Sequence, residues 1–179
     1  NKKTTSMKSI RNIAFSALLA LGAFTTVTYT ACNPDECKDV TCSNNGTCVD
    51  GKCNCPSFYE GTTCQTEVRA KYYNTYMGDG VDNDNGTYND WKIKFEARGT
   101  DAKNMTLNLT DNNNLPFISV NVILQTNTTF IVEQKNDAND VVTGNGTVDA
   151  EKATLTLSFT DKNDNTDVLT FNFNNMLKQ

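Results

Sequence analysis

The sequence contains no histidine. Histidine is the commonest general base and the commonest metal ligand, so a Ser-His-Asp triad and a histidine-based metal centre are excluded. Basic residues are scarce beyond residue 31, where 12 Lys and Arg stand against 21 Asp and Glu. Because binding to a phosphate backbone needs a basic patch, nucleic acid is not an expected partner.

Long apolar runs are missing as well. The longest, residues 13–24, follows the positive charges of Lys8 and Arg11. A membrane-spanning helix needs about 20 apolar residues, whereas the core of a secretory signal peptide needs roughly 7–15. We therefore interpret this run as part of a signal peptide that starts at Met7, with a buried core helix as the alternative.

The residues after the apolar run indicate the type of signal. Tyr29-Thr30-Ala31-Cys32 resembles a bacterial lipobox (residues 29–32), in which a lipid is attached to the cysteine thiol. The resemblance implies that residues 1–31 are removed and that Cys32 anchors the exported protein to a membrane. The chain has seven cysteines, and Cys32 is the one outside a compact block of six. A free thiol or an intermolecular disulfide is the alternative for this odd cysteine.

The block of six cysteines predicts a small disulfide-stabilised module. Their number and spacing alone do not choose one pairing, and the block has no C-x2-C pair of the kind that zinc prefers. The segments Cys42-Ser-Asn-Asn-Gly-Thr-Cys48 and Cys53-Asn-Cys55-Pro-Ser-Phe-Tyr-Glu-Gly-Thr-Thr-Cys64 resemble an EGF-like domain over residues 33–65. The resemblance implies the pairs Cys37–Cys48, Cys42–Cys53 and Cys55–Cys64.

Acidic residues at the start of this module allow three interpretations. Some EGF-like domains bind calcium through a pattern that Asn33, Asp35, Glu36 and Asp50 match in part, which makes these residues calcium candidates. Asp35 and Glu36, close behind Cys32, also resemble the surface-export tag of Bacteroidota lipoproteins, and we favour that interpretation. The third is a solvated acidic linker. No cofactor is required by any of them, and calcium is a possible one.

Residues 66–179 alternate apolar and polar side chains, which is typical of half-buried strands. Clusters of Asn and Asp separate about eight such strands and are interpreted as turns, in preference to calcium loops. This pattern predicts an antiparallel up-and-down β-barrel or a β-sandwich, with an opening strand near Val68–Tyr76. The expected core comprises one face of that strand and Trp91, Ile93, Phe95, Leu107, Val120, Val122, Leu155, Leu157 and Phe171.

The segment Lys71-Tyr-Tyr-Asn-Thr-Tyr-Met-Gly-Asp resembles the opening strand of lipocalin-like domains in Bacteroidota lipoproteins. The combined resemblance implies a lipid-anchored, non-catalytic protein of the outer membrane, exposed at the cell surface. Its β-domain would bind a small ligand, a surface protein or a glycan. A structural or adhesive component without a pocket is the alternative, and a carboxylate-dependent hydrolase is a further one. Trp91 and the tyrosines suit a sugar-stacking face, but the phase of Trp91 with Ile93 and Phe95 favours a core position for the tryptophan.

Overall fold

The structure is a computed structural model that describes residues 36–179. The predicted signal peptide, Cys32, Asn33 and Asp35 lie outside the described residues. Within residues 36–179, no helix has the length and apolar character needed to cross a membrane. The chain is mainly β, with a small disulfide-rich module followed by a closed barrel of eight antiparallel strands.

The module contains two antiparallel strand pairs. β1 (Thr47–Val49) pairs with β2 (Lys52–Asn54), and β3 (Tyr59–Glu60) pairs with β4 (Thr66–Glu67). A segment of this size buries too little apolar surface to be stable by itself. Three disulfides therefore supply the stability of the module. They join the pairs that the EGF-like resemblance implies, namely Cys37–Cys48, Cys42–Cys53 and Cys55–Cys64.

The barrel is an up-and-down meander, as the strand pattern predicted. Each strand pairs with its neighbour in sequence, and β12 closes the cylinder by pairing with β5. The strands are β5 (Thr75–Asp82), β6 (Thr87–Ala97), β7 (Asn104–Thr110), β8 (Pro116–Leu124), β9 (Thr129–Asn136), β10 (Asp140–Val148), β11 (Lys152–Asp161) and β12 (Val168–Lys178).

The predicted opening strand is wrong in its first half. Val68–Tyr72 forms a 3₁₀ helix, and β5 begins at Thr75. Val68, Arg69 and Tyr72 are all buried, a spacing that suits a helical turn rather than the alternation of a strand. The helix lies across the barrel opening where β5 begins, and the Tyr72 hydroxyl donates a hydrogen bond to the Asn127 carbonyl there.

The barrel interior is packed with apolar side chains. Eight of the nine named core residues are confirmed as buried, and Trp91 is half-buried against the same core. Gly80 on β5 makes room for this packing, because a Cβ there would lie 2.5 Å from the ring of Phe173. The buried members of the predicted set are Ile93, Phe95, Leu107, Val120, Val122, Leu155, Leu157 and Phe171.

The two ends of the barrel differ. One end, which we call the closed end, carries the 3₁₀ helix, the disulfide module and the loops 98–103, 125–128 and 149–151. The opposite end, which we call the mouth, carries the loops 83–86, 111–115, 137–139 and 162–167. Buried Arg69 holds the closed end together, since its guanidinium donates to the carbonyls of Arg98, Gly99 and Asn104.

Candidate functional site at the mouth of the barrel

Six aromatic rings from four strands meet below the mouth, and we call them the aromatic cluster. Trp91 is central: its ring centroid lies 5.0 Å from that of Phe117, 5.1 Å from that of Tyr88 and 5.7 Å from that of Phe173. Most of the contacts are edge-to-face, the geometry that aromatic quadrupoles favour. The members of the cluster are Tyr88, Trp91, Phe117, Phe159, Phe171 and Phe173.

A change of register brings Phe117 into this cluster. Leu109 pairs with Ile118 but Thr110 pairs with Pro116, so Phe117 has no partner on β7. Such an irregularity re-aims a side chain that the alternation of the strand would point outward. The Phe117 ring therefore packs on Phe159 and Phe171 although 43% of the residue is exposed. The result is an apolar surface that solvent can reach.

A pocket of about 490 Å³ opens above the aromatic cluster. Its volume falls within the roughly 300–1,000 Å³ usual for small-molecule sites. Apolar side chains line its lower part and carboxylates line its upper part. The lining residues are Asp84, Phe117, Asp140, Phe159, Asp161, Asp167, Leu169 and Phe171. The pocket is open to solvent, so the barrel interior is filled below and accessible above.

Some carboxylates at the mouth accept hydrogen bonds from backbone amides of the turns in which they lie. Asp82 Oδ1 accepts hydrogen bonds from the amides of Asp84 and Gly86, and its Oδ2 accepts one of 2.6 Å from the Tyr88 hydroxyl. The Tyr88 hydrogen bond, with those amides, lowers the pKa of Asp82, and the same bond raises the pKa of Tyr88. Asp161 Oδ1 likewise accepts from the amides of Asn163 and Asp164. These aspartates shape the hairpins that frame the pocket, as the turn interpretation predicted.

Three other pocket carboxylates have no such role. Among residues 36–179, the side chains of Asp84, Asp140 and Asp167 take part in no hydrogen bond or ion pair. Asp84 and Asp167 lie in two different loops and Asp140 begins β10, and the barrel brings the three together around one opening. Their oxygens are therefore available to a group that enters the pocket.

The candidates drawn from the sequence lie elsewhere. Asn33, Asp35 and Cys32 are outside the described residues, while Glu36 lies beside Gly51, the residue after Asp50. In the described part of the chain, no group of three Cys, Asp or Glu side chains is placed to hold a metal ion. Trp91 packs on the core, as its phase with Ile93 indicated, and also belongs to the aromatic cluster; its sugar-stacking role stays a prediction.

Phe117 and the pocket itself were not identified from the sequence, and the tyrosines were named only as a group. Tyr88 and Trp91 are three residues apart in β6, and β5 and β6 change register between Gly78 and Gly80. Both register changes depend on the partner strand, so no local pattern identifies them. Comparisons of the chain with protein-family models and with curated proteins find no match.

Proposed function

We propose that this protein is a non-catalytic binding protein, tethered to the outer membrane through lipid on Cys32, whose barrel mouth binds a small molecule at the cell surface. The observation that carries this proposal is the 490 Å³ pocket above the aromatic cluster. An exposed apolar patch rimmed by polar residues often marks a binding site. An eight-stranded barrel is just wide enough to hold one small ligand, and here that space lies at one end.

The position of the disulfide module supports an outward-facing pocket. The module contacts the closed end, where the Phe58 amide donates to Asn127 Oδ1 over 3.3 Å and Lys71 pairs with Glu60 at 2.9 Å. Cys32 precedes the first described residue by four positions, a span of at most about 14 Å. A lipid on Cys32 would place the membrane on the module side of the barrel. The mouth would then face away from the membrane.

The resemblances found in the sequence also favour a lipid-anchored surface protein. An EGF-like module behind a lipobox, followed by a lipocalin-like barrel, is the arrangement expected of a Bacteroidota surface lipoprotein. The module is rigid because three disulfides cross it within residues 37–64, and it suits the role of a spacer. A structural or adhesive component is the competing proposal, and it assigns no purpose to the pocket.

Mass spectrometry of the protein purified from membranes tests the anchor. The proposal expects an acylated Cys32 as the first residue, and Cys32→Ser should be released from the membrane. Two or more acyl chains are needed for stable anchoring, because one gives only marginal affinity. A mature chain that begins elsewhere, or a Cys32→Ser protein that stays membrane-bound, would contradict the anchor.

A neutral fluorescent probe, N-phenyl-1-naphthylamine, tests the pocket. Its emission should rise on binding to the wild-type protein and should rise much less with Phe117→Ala. The matched control is Ile131→Ala, which removes a side chain of similar exposure, 42% against 43% for Phe117, from the outside of the barrel. Equal binding by both variants, or no binding by the wild type, would overturn the proposed site.

The hydrolase alternative would use Asp140 and Asp161, which pair across β10 and β11 and both line the pocket. Asp161 Oδ1 already accepts two turn amides, so we assign both residues to binding and turn formation. A broad screen of glycoside and ester substrates tests this assignment. Turnover that Asp140→Asn abolishes would establish the hydrolase instead.

A further inference from the structure

We propose that the ligand of the mouth pocket is a small organic cation: a protonated amine or quaternary ammonium on a flat apolar body. This inference rests on the proposed binding function and specifies its ligand. The inference is based on the lining of the pocket. Aromatic rings lie at its lower part, and carboxylates without a hydrogen bond or ion pair within residues 36–179 lie at its upper part.

The charge of the barrel is concentrated at the mouth. The mouth loops with their flanking strand ends, residues 82–86, 111–115, 137–140 and 161–167, contain eight aspartates and one lysine. That lysine, Lys162, donates to the Asp137 carbonyl. At the closed end, residues 98–103, 125–128 and 149–151 contain three acidic and two basic residues. A charged cleft of one sign concentrates ligands of the opposite sign.

The aromatic cluster favours the same kind of ligand. The faces of aromatic rings attract cations, with tryptophan the strongest, provided that the cation lies within about 6 Å of the ring centroid. The rings of Phe117, Phe159 and Phe171 line the pocket, and Trp91 packs on Phe117 with the ring centroids 5.0 Å apart. The apolar body of an amine would bury surface against Phe159 and Leu169, which pack on the edge of the core.

A bare metal ion fits this arrangement poorly. Calcium takes six to eight oxygen ligands at roughly 2.3–2.6 Å, whereas no group of three acidic side chains within residues 36–179 converges to that extent. The carboxylates instead surround a space of about 490 Å³. An organic cation needs only that one or two carboxylates lie near its charge while the rest of the molecule occupies the apolar part.

Three probes with the same body separate charge from shape: 2-phenylethylamine, 2-phenylethanol and phenylacetate. Their binding is followed by the emission of the single tryptophan, Trp91, excited at a wavelength that the probes do not absorb. At low ionic strength the amine should bind about tenfold more tightly than the alcohol, and phenylacetate should bind least. Raising the salt to 1 M should remove most of the amine's advantage, since exposed charges are screened.

The double variant Asp140→Asn/Asp167→Asn should reduce amine binding about tenfold and leave alcohol binding unchanged. Within residues 36–179 these two side chains take part in no hydrogen bond or ion pair, so the variant should fold normally, as circular dichroism will verify. The control Glu151→Gln removes one charge at the closed end and should have no effect. If the alcohol binds as tightly as the amine, the cation inference is wrong while the binding function stands. If N-phenyl-1-naphthylamine also fails to bind, the proposed function is wrong too.

Discussion

Replacing Arg69 should destabilise the whole barrel. The residue is 3% exposed, and its guanidinium reaches the carbonyls of Gly99 at 3.1 Å, Arg98 at 3.3 Å and Asn104. It also pairs with Glu67 at 2.7 Å. Arg69→Met keeps an unbranched apolar stem but removes every donor. The helix would then lose its polar attachment to the loop between β6 and β7.

The expected cost follows from these contacts. An orphaned buried carbonyl costs about 1–3 kcal/mol, and breaking a buried charged network by removing one partner costs roughly 3–5 kcal/mol. Gly99, Thr100 and Asp101 are exposed, so water can satisfy some of the carbonyls that lose the arginine. We therefore expect a loss of about 3 kcal/mol, a large share of the roughly 5–15 kcal/mol that a domain possesses.

Lys71 provides a matched control two residues away. Its ion pair with Glu60 is 2.9 Å long, but both side chains are about two-fifths exposed. Exposed pairs contribute about 0–1 kcal/mol, so Lys71→Met should change the free energy of unfolding little. Urea unfolding, followed by tryptophan emission and circular dichroism, measures both variants. Equal costs for the two, or less than about 1 kcal/mol for Arg69→Met, would refute the assigned role of the arginine.

Three further predictions concern the barrel and the module. Gly146→Ala should cost about 1–3 kcal/mol in a urea titration, because its Cβ would lie 2.1 Å from the Thr154 carbonyl oxygen; an unchanged midpoint would contradict this. Burial is the largest cause that raises the pKa of Tyr72 and of Tyr76 to about 12. Their stabilisation is complete below pH 10 and is lost as the pH rises through 12, by up to about 1.4 kcal/mol per pH unit for each. Tyr76→Phe should flatten that dependence between pH 10 and 12, and an unchanged slope would disprove the contribution. Reducing the disulfides should unfold the module but leave the barrel spectrum and its tryptophan emission intact, because no cysteine lies beyond Cys64; simultaneous loss of both would show that they fold as one unit.

The strands of the barrel were predictable because their signal is local. Leu155 and Leu157 face inward on β11, as do Val120 and Val122 on β8, and a period of two places them on one face whatever the partner strand is. The turns were predictable for a similar reason, since Asp and Asn side chains bind amides two to four residues further on. Such interactions need no knowledge of the rest of the chain.

Other features depend on distant partners. Tyrosine is common in strands, but Tyr72 lies in the 3₁₀ helix. Its hydroxyl donates a hydrogen bond to the carbonyl of Asn127, 55 positions away in the sequence. Phe117 enters the aromatic cluster through the register change between β7 and β8. Asp84, Asp140 and Asp167 lie far apart in sequence and share a pocket only because the barrel closes. The sequence therefore predicted the components of the mouth, without their arrangement.

The hydrogen-bonding groups at the two ends explain why one end is a structural cap and the other a candidate site. At the closed end, the buried donors of Arg69, Tyr72 and Tyr76 meet backbone carbonyls and, in the case of Arg69 Nε, the Glu67 carboxylate. The donors of these three residues are engaged within the protein, so a ligand could compete for them only by disrupting the fold. Arg98 Nε and Asn104 Oδ1, which have no hydrogen-bond partner at this end within residues 36–179, are buried and out of reach of solvent. At the mouth, the carboxylate oxygens of Asp140 and Asp167 accept no hydrogen bond from any donor within residues 36–179. Filling those acceptors requires no disruption of the fold, so a molecule that supplies a charged donor can bind at the mouth without opposing the stability of the barrel.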